Sequence, residues 1–211
     1  MSTKNLRVLI IMMDEQLHKE RFVAAFSDIK NVAIAFIMWN SEKLKTLSIA
    51  ADALIISGSH WRILQHYSHT PRLPKSLLQL DKPILGICYG FQWIASELCV
   101  GPGVVTKTSC LSTFENGKLH VYDKMLSFDA NALFKVSKKL YHFQHHDYII
   151  KVPENWHIDI SNNSKKSNNC NNEQQIWAAH HKKIMGIQFH PEYYHASAKE
   201  FYSKWIEWCM R

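Results

Sequence analysis

The stretch Lys82–Glu97, KPILGICYGFQWIASE, limits the possible folds more than any other part of the chain. Ile84–Ile87 is a short apolar run of the kind that forms a buried strand. After Gly90, the residues Phe91, Ile94, Ala95 and Leu98 recur at helical spacing. The turn between them reads G-I-C-Y-G, with Gly86 and Gly90 two residues either side of Cys88. This is the nucleophile-elbow pattern with cysteine in place of serine, and it requires strand, sharp turn and helix in that order. Glycines suit a strained turn that chain and substrate must both approach closely. Cys88 then stands at a helix N-terminus, where the dipole and free N–H groups favour thiolate over thiol. Alone, a cysteine at the end of a core strand is more often a small hydrophobe than a nucleophile.

A second motif shifts that balance. Ile184–Glu192, IMGIQFHPE, reads as a strand ending in His190, Pro191 and Glu192. Residues two apart in extended chain point the same way, so the His190 ring and the Glu192 carboxylate can share a face and hydrogen-bond. By itself His-Pro-Glu is most often a solvated turn. Beside a cysteine on a second strand end, it supplies a base oriented by an acid.

The rest of the chain supplies a sheet to carry both motifs. Arg7–Met13 is a continuous apolar run typical of a strand buried on both faces, and Gln16–Phe26 follows with helical spacing. Val32–Trp39 is a second strand, Ser41–Leu47 a short helix with Ser41 as N-cap, and Ala53–Ile56 a third strand ending in Ser57, Gly58 and Ser59. A short helix is expected near Lys75–Leu80. This alternation predicts an α/β fold with a mostly parallel central sheet and helices on both faces. Beyond residue 103 the texture changes: Val104–Thr108, Lys118–Tyr122, Leu140–Phe143 and Trp156–Ile160 read as antiparallel additions, with a helical turn over Asn131–Val136. Ser161–Asn172, SNNSKKSNNCNN, is polar and low in complexity, and is expected to be a solvated loop with no assigned function. Ile176–His180 and Ile184–Phe189 form a hairpin that delivers His190, and Ala196–Met210 closes the chain as a core-packed helix.

With 211 residues and 46% hydrophobic content, the chain suits one domain over 1–211 with a substantial core. No run approaches a membrane span and no signal-peptide pattern opens the sequence, so a soluble cytoplasmic protein is expected. The five cysteines are odd in number and form no CxxC pair, which argues against a disulfide framework or a zinc site. A net charge of +7 is spread over scattered lysines with no nucleic-acid motif, so nucleic acid is not the expected partner. Gln144-His145-His146-Asp147 is rich in histidine, but adjacent histidines rarely converge on one ion, so no metal is expected.

GICYGFQ and GIQFHPE together resemble the class I glutamine amidotransferases, and among these the glutaminase part of GMP synthetase. The resemblance runs from about Val8 to the C-terminus. It implies Cys88 as nucleophile, His190 as base and then acid, and Glu192 as the residue orienting the histidine. The implied reaction is attack on the side-chain amide of L-glutamine, with ammonia leaving and a thioester later hydrolysed, and it needs no cofactor. The backbone N–H of Tyr89 is the natural first oxyanion donor. The second falls on Ser59 in Ser57-Gly58-Ser59-His60, where the family has GGP, and a non-glycine there raises the expected conformational cost. The resemblance also implies substrate contacts at Gly58 and Gln92. It matches Gln144-His145-His146-Asp147 to the family's SHGD turn, so that His145 and Asp147 face a separate, ATP-using synthetase partner that this chain does not contain.

Two other readings fit the same residues. A γ-glutamyl hydrolase would use the same thiol chemistry on γ-glutamyl peptides without delivering ammonia. A weakly active scaffold would fit the altered oxyanion turn and the irregular matches Cys99-Val100-Gly101-Pro102-Gly103 and Phe114-Glu115-Asn116-Gly117.

Overall fold

The computed structural model describes residues 5–15, 19–64, 70–98, 110–113, 117–128, 132–162 and 174–211. In chain order the elements are β1 (Leu6–Met12), α1 (Lys19–Phe26), β2 (Val32–Met38), α2 (Leu44–Ala50), β3 (Ala53–Ile56), β4 (Ile84–Ile87) and α3 (Tyr89–Leu98). There follow β5 (Leu111–Thr113), β6 (His120–Phe128), β7 (Val136–His145), β8 (Asp147–Ile149), β9 (His157–Asn162), β10 (Gln175–His181), β11 (Ile184–Ile187) and α4 (His195–Cys209). Single 3-10 turns span Lys75–Gln79 and Pro191–Tyr193.

Five strands, in the order β2-β1-β3-β4-β11, run parallel at the heart of a nine-stranded sheet. The antiparallel strands β10, β8 and β5 extend it, and β9 also pairs with β10. The apolar run of β1 serves both faces by simple alternation. Val8, Ile10 and Met12 enter one core with Phe22 of α1 and Phe201 and Trp205 of α4. Leu9, Ile11 and Met13 enter the other with Leu44 of α2 and Phe91 and Ile94 of α3. The expected α/β layering is therefore present, with α1 and α4 on one face and α2 and α3 on the other. No helix among the described residues is long and apolar enough to cross a membrane.

The seat of α3 explains two glycines. Gly86 of β4 and Gly186 of β11 are register partners across a parallel pair. A Cβ on Gly186 would overlap the Phe91 ring, and one on Gly86 would lie 2.5 Å from Ile94 Cδ1 and 2.8 Å from the Phe91 nitrogen. Side-chain-free neighbours on two strands thus let the helix settle onto the sheet immediately after Cys88.

Several expectations need correction. Leu44 begins α2, three residues after the expected N-cap. Ser41 instead forms a turn ahead of it, its hydroxyl accepting from the Lys43 N–H at 3.3 Å and its carbonyl from the Leu44 N–H at 3.0 Å. The expected helical turn over Asn131–Val136 is absent from its described part, residues 132–136. Residues 132–134 are bends, and Phe134 and Val136 are buried with Lys135 exposed between them where β7 begins. Strands β6 and β7 are longer than expected and form a separate two-stranded sheet. Cys88 and Cys209 are free, but Cys110 is disulfide-bonded, against the expectation drawn from an odd count without CxxC. Residues 16–18, the proposed strand Val104–Thr108, and residues 163–172 of the polar loop lie outside the described residues.

Candidate active site

Strand β4 ends at Ile87, the register partner of Ile187, and the next residue, Cys88, has φ +49°, a left-handed conformation that costs an L-residue energy. Its own N–H is held by the Ile187 carbonyl at 2.7 Å, and its carbonyl accepts from the Gln92 N–H at 3.0 Å in the first turn of α3. The strained residue is therefore clamped from both sides. Its thiol is almost wholly buried and lies at the floor of a cavity of about 240 Å³.

His190 reaches this cavity from the adjacent strand end. Strand β11 stops at Ile187, earlier than the expected Phe189, and His190 is held by a lone bridge in which its N–H donates to the His142 carbonyl of β7 at 2.8 Å. Glu192 lies on a 3-10 turn instead of the expected extended chain, and Pro191 occupies the first position of that turn. The two side chains still meet: His190 Nδ1 lies 2.8 Å from Glu192 Oε1, with both residues buried. Burial pulls the imidazolium down, but the negative charges of Glu192 and Cys88 outweigh it and hold His190 well above its ordinary range. The imidazole is thus favoured in its charged form between the Glu192 carboxylate and the Cys88 sulfur.

The glycine at 58 has a steric purpose. A Cβ there would stand 2.7 Å from His190 Cε1 and 3.5 Å from the Cys88 Cβ, so the imidazole fits only over a bare backbone. Neither Gly58 nor Ser59 is among the residues with positive φ, so serine at 59 carries no left-handed strain, unlike the cost expected from the missing glycine. The peptide joining them is pinned: the Ser57 hydroxyl accepts from the Met13 N–H at 2.9 Å and donates to the Gly58 carbonyl at 3.0 Å. In a trans peptide the Ser59 N–H points opposite to that carbonyl. Ser59 lines the cavity together with Cys88.

Gln92 is buried, not solvent-facing. Its amide nitrogen donates to the Asp147 carbonyl at 2.6 Å and to Gln188 Oε1 at 3.3 Å. Gln188 Nε2 in turn donates to Cys88 Sγ at 3.5 Å, and the thiol can donate to the Gln144 carbonyl at the same distance. Sequence reasoning misses Gln188, although it sits two residues before His190, the spacing that puts side chains on one face of extended chain.

His145 and Asp147 turn their side chains inward, at 3% and 2% exposure. Burial pushes His145 down to about 4. Its neutral ring fits its neighbours, with Nδ1 at 3.1 Å from the Asp147 carbonyl and Nε2 at 3.5 Å from the Tyr122 hydroxyl. Arg62 clasps Asp147 Oδ1 at 2.8 Å from Nη2. At the rim, His60 contacts Asp14, and the Arg21 guanidinium lies 3.7 Å from the Tyr193 ring, which stacks on His142 at 4.1 Å.

Comparison with known proteins places the chain among relatives. The family model described as glutamine amidotransferase class-I matches residues 19–207. A GMP synthase [glutamine-hydrolyzing] of Wigglesworthia glossinidia brevipalpis is 29% identical over 175 residues, covering 79% of this chain and 31% of its own. That of Chlamydia caviae is 30% identical over 162 residues, covering 73% and 27%. The chain thus spans between about a quarter and a third of the length of these curated relatives. Among solved structures, a candidate GMP synthase subunit of Thermoplasma acidophilum superposes with a TM-score of 0.65 at 18% identity, covering 98% of this chain and 94% of its own. A glutamine amidotransferase of Thermotoga maritima gives 0.61 at 17%, covering 96% and 83%.

Proposed function

Because the chain belongs to the glutamine amidotransferase class-I family, we propose that Cys88, His190 and Glu192 form a triad that hydrolyses the side-chain amide of glutamine through a thioester. The observation that carries this reading is His190, bonded to Glu192 at 2.8 Å and charged by its neighbours, over a cavity whose floor is the Cys88 thiol.

In this reaction His190 carries the proton given up by Cys88, and the resulting thiolate attacks the amide carbon. The developing oxyanion is met by the backbone N–H groups of Tyr89, at the start of α3, and of Ser59. His190 then protonates the departing nitrogen, the C–N bond breaks, and ammonia leaves a γ-glutamyl thioester on Cys88. Water attacks that thioester while His190 takes its proton, releasing glutamate and the free thiol. Glu192 keeps the imidazole in register and stabilises its charged form throughout. We infer that the ammonia acceptor belongs to a separate ATP-using synthetase partner of the GMP synthase type. The support is that the Thermoplasma acidophilum neighbour, 94% of whose chain is covered here, is a candidate GMP synthase subunit, and that the curated relatives share the GMP synthase name.

Glutamate release from glutamine, with and without a GMP synthase-type synthetase partner, is the test. Activity lost in Cys88→Ala is the expected result. A higher kcat/KM on γ-glutamyl peptides than on glutamine would replace this reading with a γ-glutamyl hydrolase. Failure of a glutamine-analogue electrophile to label Cys88 under any of these conditions would favour a binding scaffold.

A further inference from the structure

Behind the triad, on the side away from the cavity, lies a group of buried polar atoms that the reaction above does not use. Glu192 Oε1 is spent on His190, but Glu192 Oε2 is buried with no hydrogen-bond partner. Two phenol oxygens, of Tyr202 on α4 and Tyr141 on β7, are likewise buried and unpartnered, and both residues have no exposed surface. Buried polar atoms left unsatisfied cost about 1–3 kcal/mol each, and more when charged, so three in one place call for a common explanation.

We propose that the Tyr202 hydroxyl is a positioning group for the triad, donating to Glu192 Oε2 from behind and so holding Oε1 on His190. The inference rests on the triad reading given above. The Tyr202 ring has little freedom, packed 4.7 Å from Phe26, 6.4 Å from Phe22 and 5.5 Å from Phe201. Burial first, and then the Glu192 charge beside it, hold its phenol well above the ordinary range, so it remains a protonated donor. Tyr141, whose ring lies 4.6 Å from Phe189, neighbours the Tyr202 phenol and is pushed up by burial and by Glu200. Among the described residues the other charged or titratable groups around Glu192 are His190, with Cys88 beyond it, and Glu20, Arg21, Tyr193 and His195, which border a shallow cavity it shares with α1 and α4.

A donor on Oε2 holds the carboxylate in register with His190 and supports the charged imidazole. Without it the imidazole keeps its counter-ion less firmly, so the acid limb of the reaction moves up. A residue acting only through packing would not move that limb.

The experiment uses the full chain, with Tyr202→Phe and Tyr141→Phe alone and with Tyr202→Phe in a Glu192→Gln background. Two quantities are followed against pH: glutaminase kcat and KM, and the rate at which iodoacetamide alkylates Cys88. Tyr202→Phe is expected to lower kcat roughly 10-fold, as second-layer partners do, with KM within about twofold. Its acid limb should move up by ~0.5 pH unit or more in both readouts. Tyr141→Phe should leave the limb in place, and Tyr202→Phe should add no shift once Glu192 is glutamine. The assignment is overturned by an acid limb that stays or moves down in Tyr202→Phe, by an equal shift in Tyr141→Phe, or by the same Tyr202→Phe effect with and without the Glu192 carboxylate. It is also overturned if Tyr202→Phe melts at or above the wild-type temperature at neutral pH, since a lost bond to a charged carboxylate must destabilise. Failure of the triad reading has a separate signature, namely a Cys88 alkylation profile that His190→Ala leaves unchanged.

Discussion

Gly86 and Gly186 face each other across the parallel pair β4–β11, and together they form the floor on which Phe91 and Ile94 rest. The helix that follows Cys88 is set down at this point. The angle at which it leaves the sheet depends on the absence of two Cβ atoms.

Gly186→Ala is accordingly expected to destabilise the protein by ~1–3 kcal/mol through overpacking against the Phe91 ring, and to reduce Cys88 reactivity by tilting α3. Adding Phe91→Leu should recover part of both losses. Chemical denaturation and alkylation of Cys88 in the single and double variants measure this coupling. Strict additivity would mean that the glycine serves some purpose other than seating the helix.

Among the triad residues the losses should be graded. Cys88→Ala should abolish glutamate release, and His190→Ala should come close, because thiolate formation and leaving-group protonation both depend on the ring. Glu192→Gln keeps shape and one hydrogen bond, so its residual activity should exceed the other two by at least ~10-fold. Full activity in Cys88→Ala, or loss of chemistry in a folded variant of Cys209, would mean that the nucleophile has been wrongly chosen.

Ser57→Ala removes the hydroxyl that fixes the Gly58–Ser59 peptide and leaves the Met13 N–H without its acceptor. A stability loss of ~1–2 kcal/mol is expected. Release of that peptide should cost kcat roughly 10-fold or more, with a much smaller change in KM, because the oxyanion exists only after attack. Equal effects on kcat and KM, or none, would remove Ser59 from the oxyanion hole.

His145 sets an acid limit on stability. Its folded pKa of about 4 lies below the unfolded value of 6.5, so below pH 6.5 the unfolded chain binds the extra proton. Stability therefore falls as pH drops from about 6.5 to about 4, by up to ~3 kcal/mol from this residue. His190 acts in the opposite sense. Its raised pKa gives stability that is complete below the unfolded value and is lost as pH rises through the folded one. His145→Asn keeps a donor for the Asp147 carbonyl without the titration, so its stability should decline less steeply across that window. Denaturant melts at stepped pH provide the comparison, and parallel slopes for the two proteins would contradict the assignment.

What could be read from the sequence follows a physical division. β3 and β4 lie where the apolar runs put them because strands buried on both faces are written as continuous hydrophobic segments. Cys88, His190 and Glu192 were visible because glycine spacing and a His-Pro-Glu ending are local signals. The 3-10 turn carrying Glu192 was not, since the sequence cannot tell a strand that ends at Ile187 from one that runs on to Phe189. Gln188 and Ser57 were missed for a different reason. Each acquires its part only through a neighbour distant in sequence: the Cys88 thiol and the Met13 amide. Helical spacing on the final helix points to core packing, but not to what a buried hydroxyl on it stands beside.

The lone bridge between His142 and His190 ties the site to the two-stranded sheet as well as to the main one. The His190 N–H donates to the His142 carbonyl, and the Cys88 thiol can donate to the Gln144 carbonyl on the same strand, β7. Cys88 and His190 follow neighbouring strands of the main sheet, β4 and β11, and one strand of the smaller sheet meets both. That strand is a shared brace, so a substitution that shifts β7 is felt by the thiol and the imidazole together.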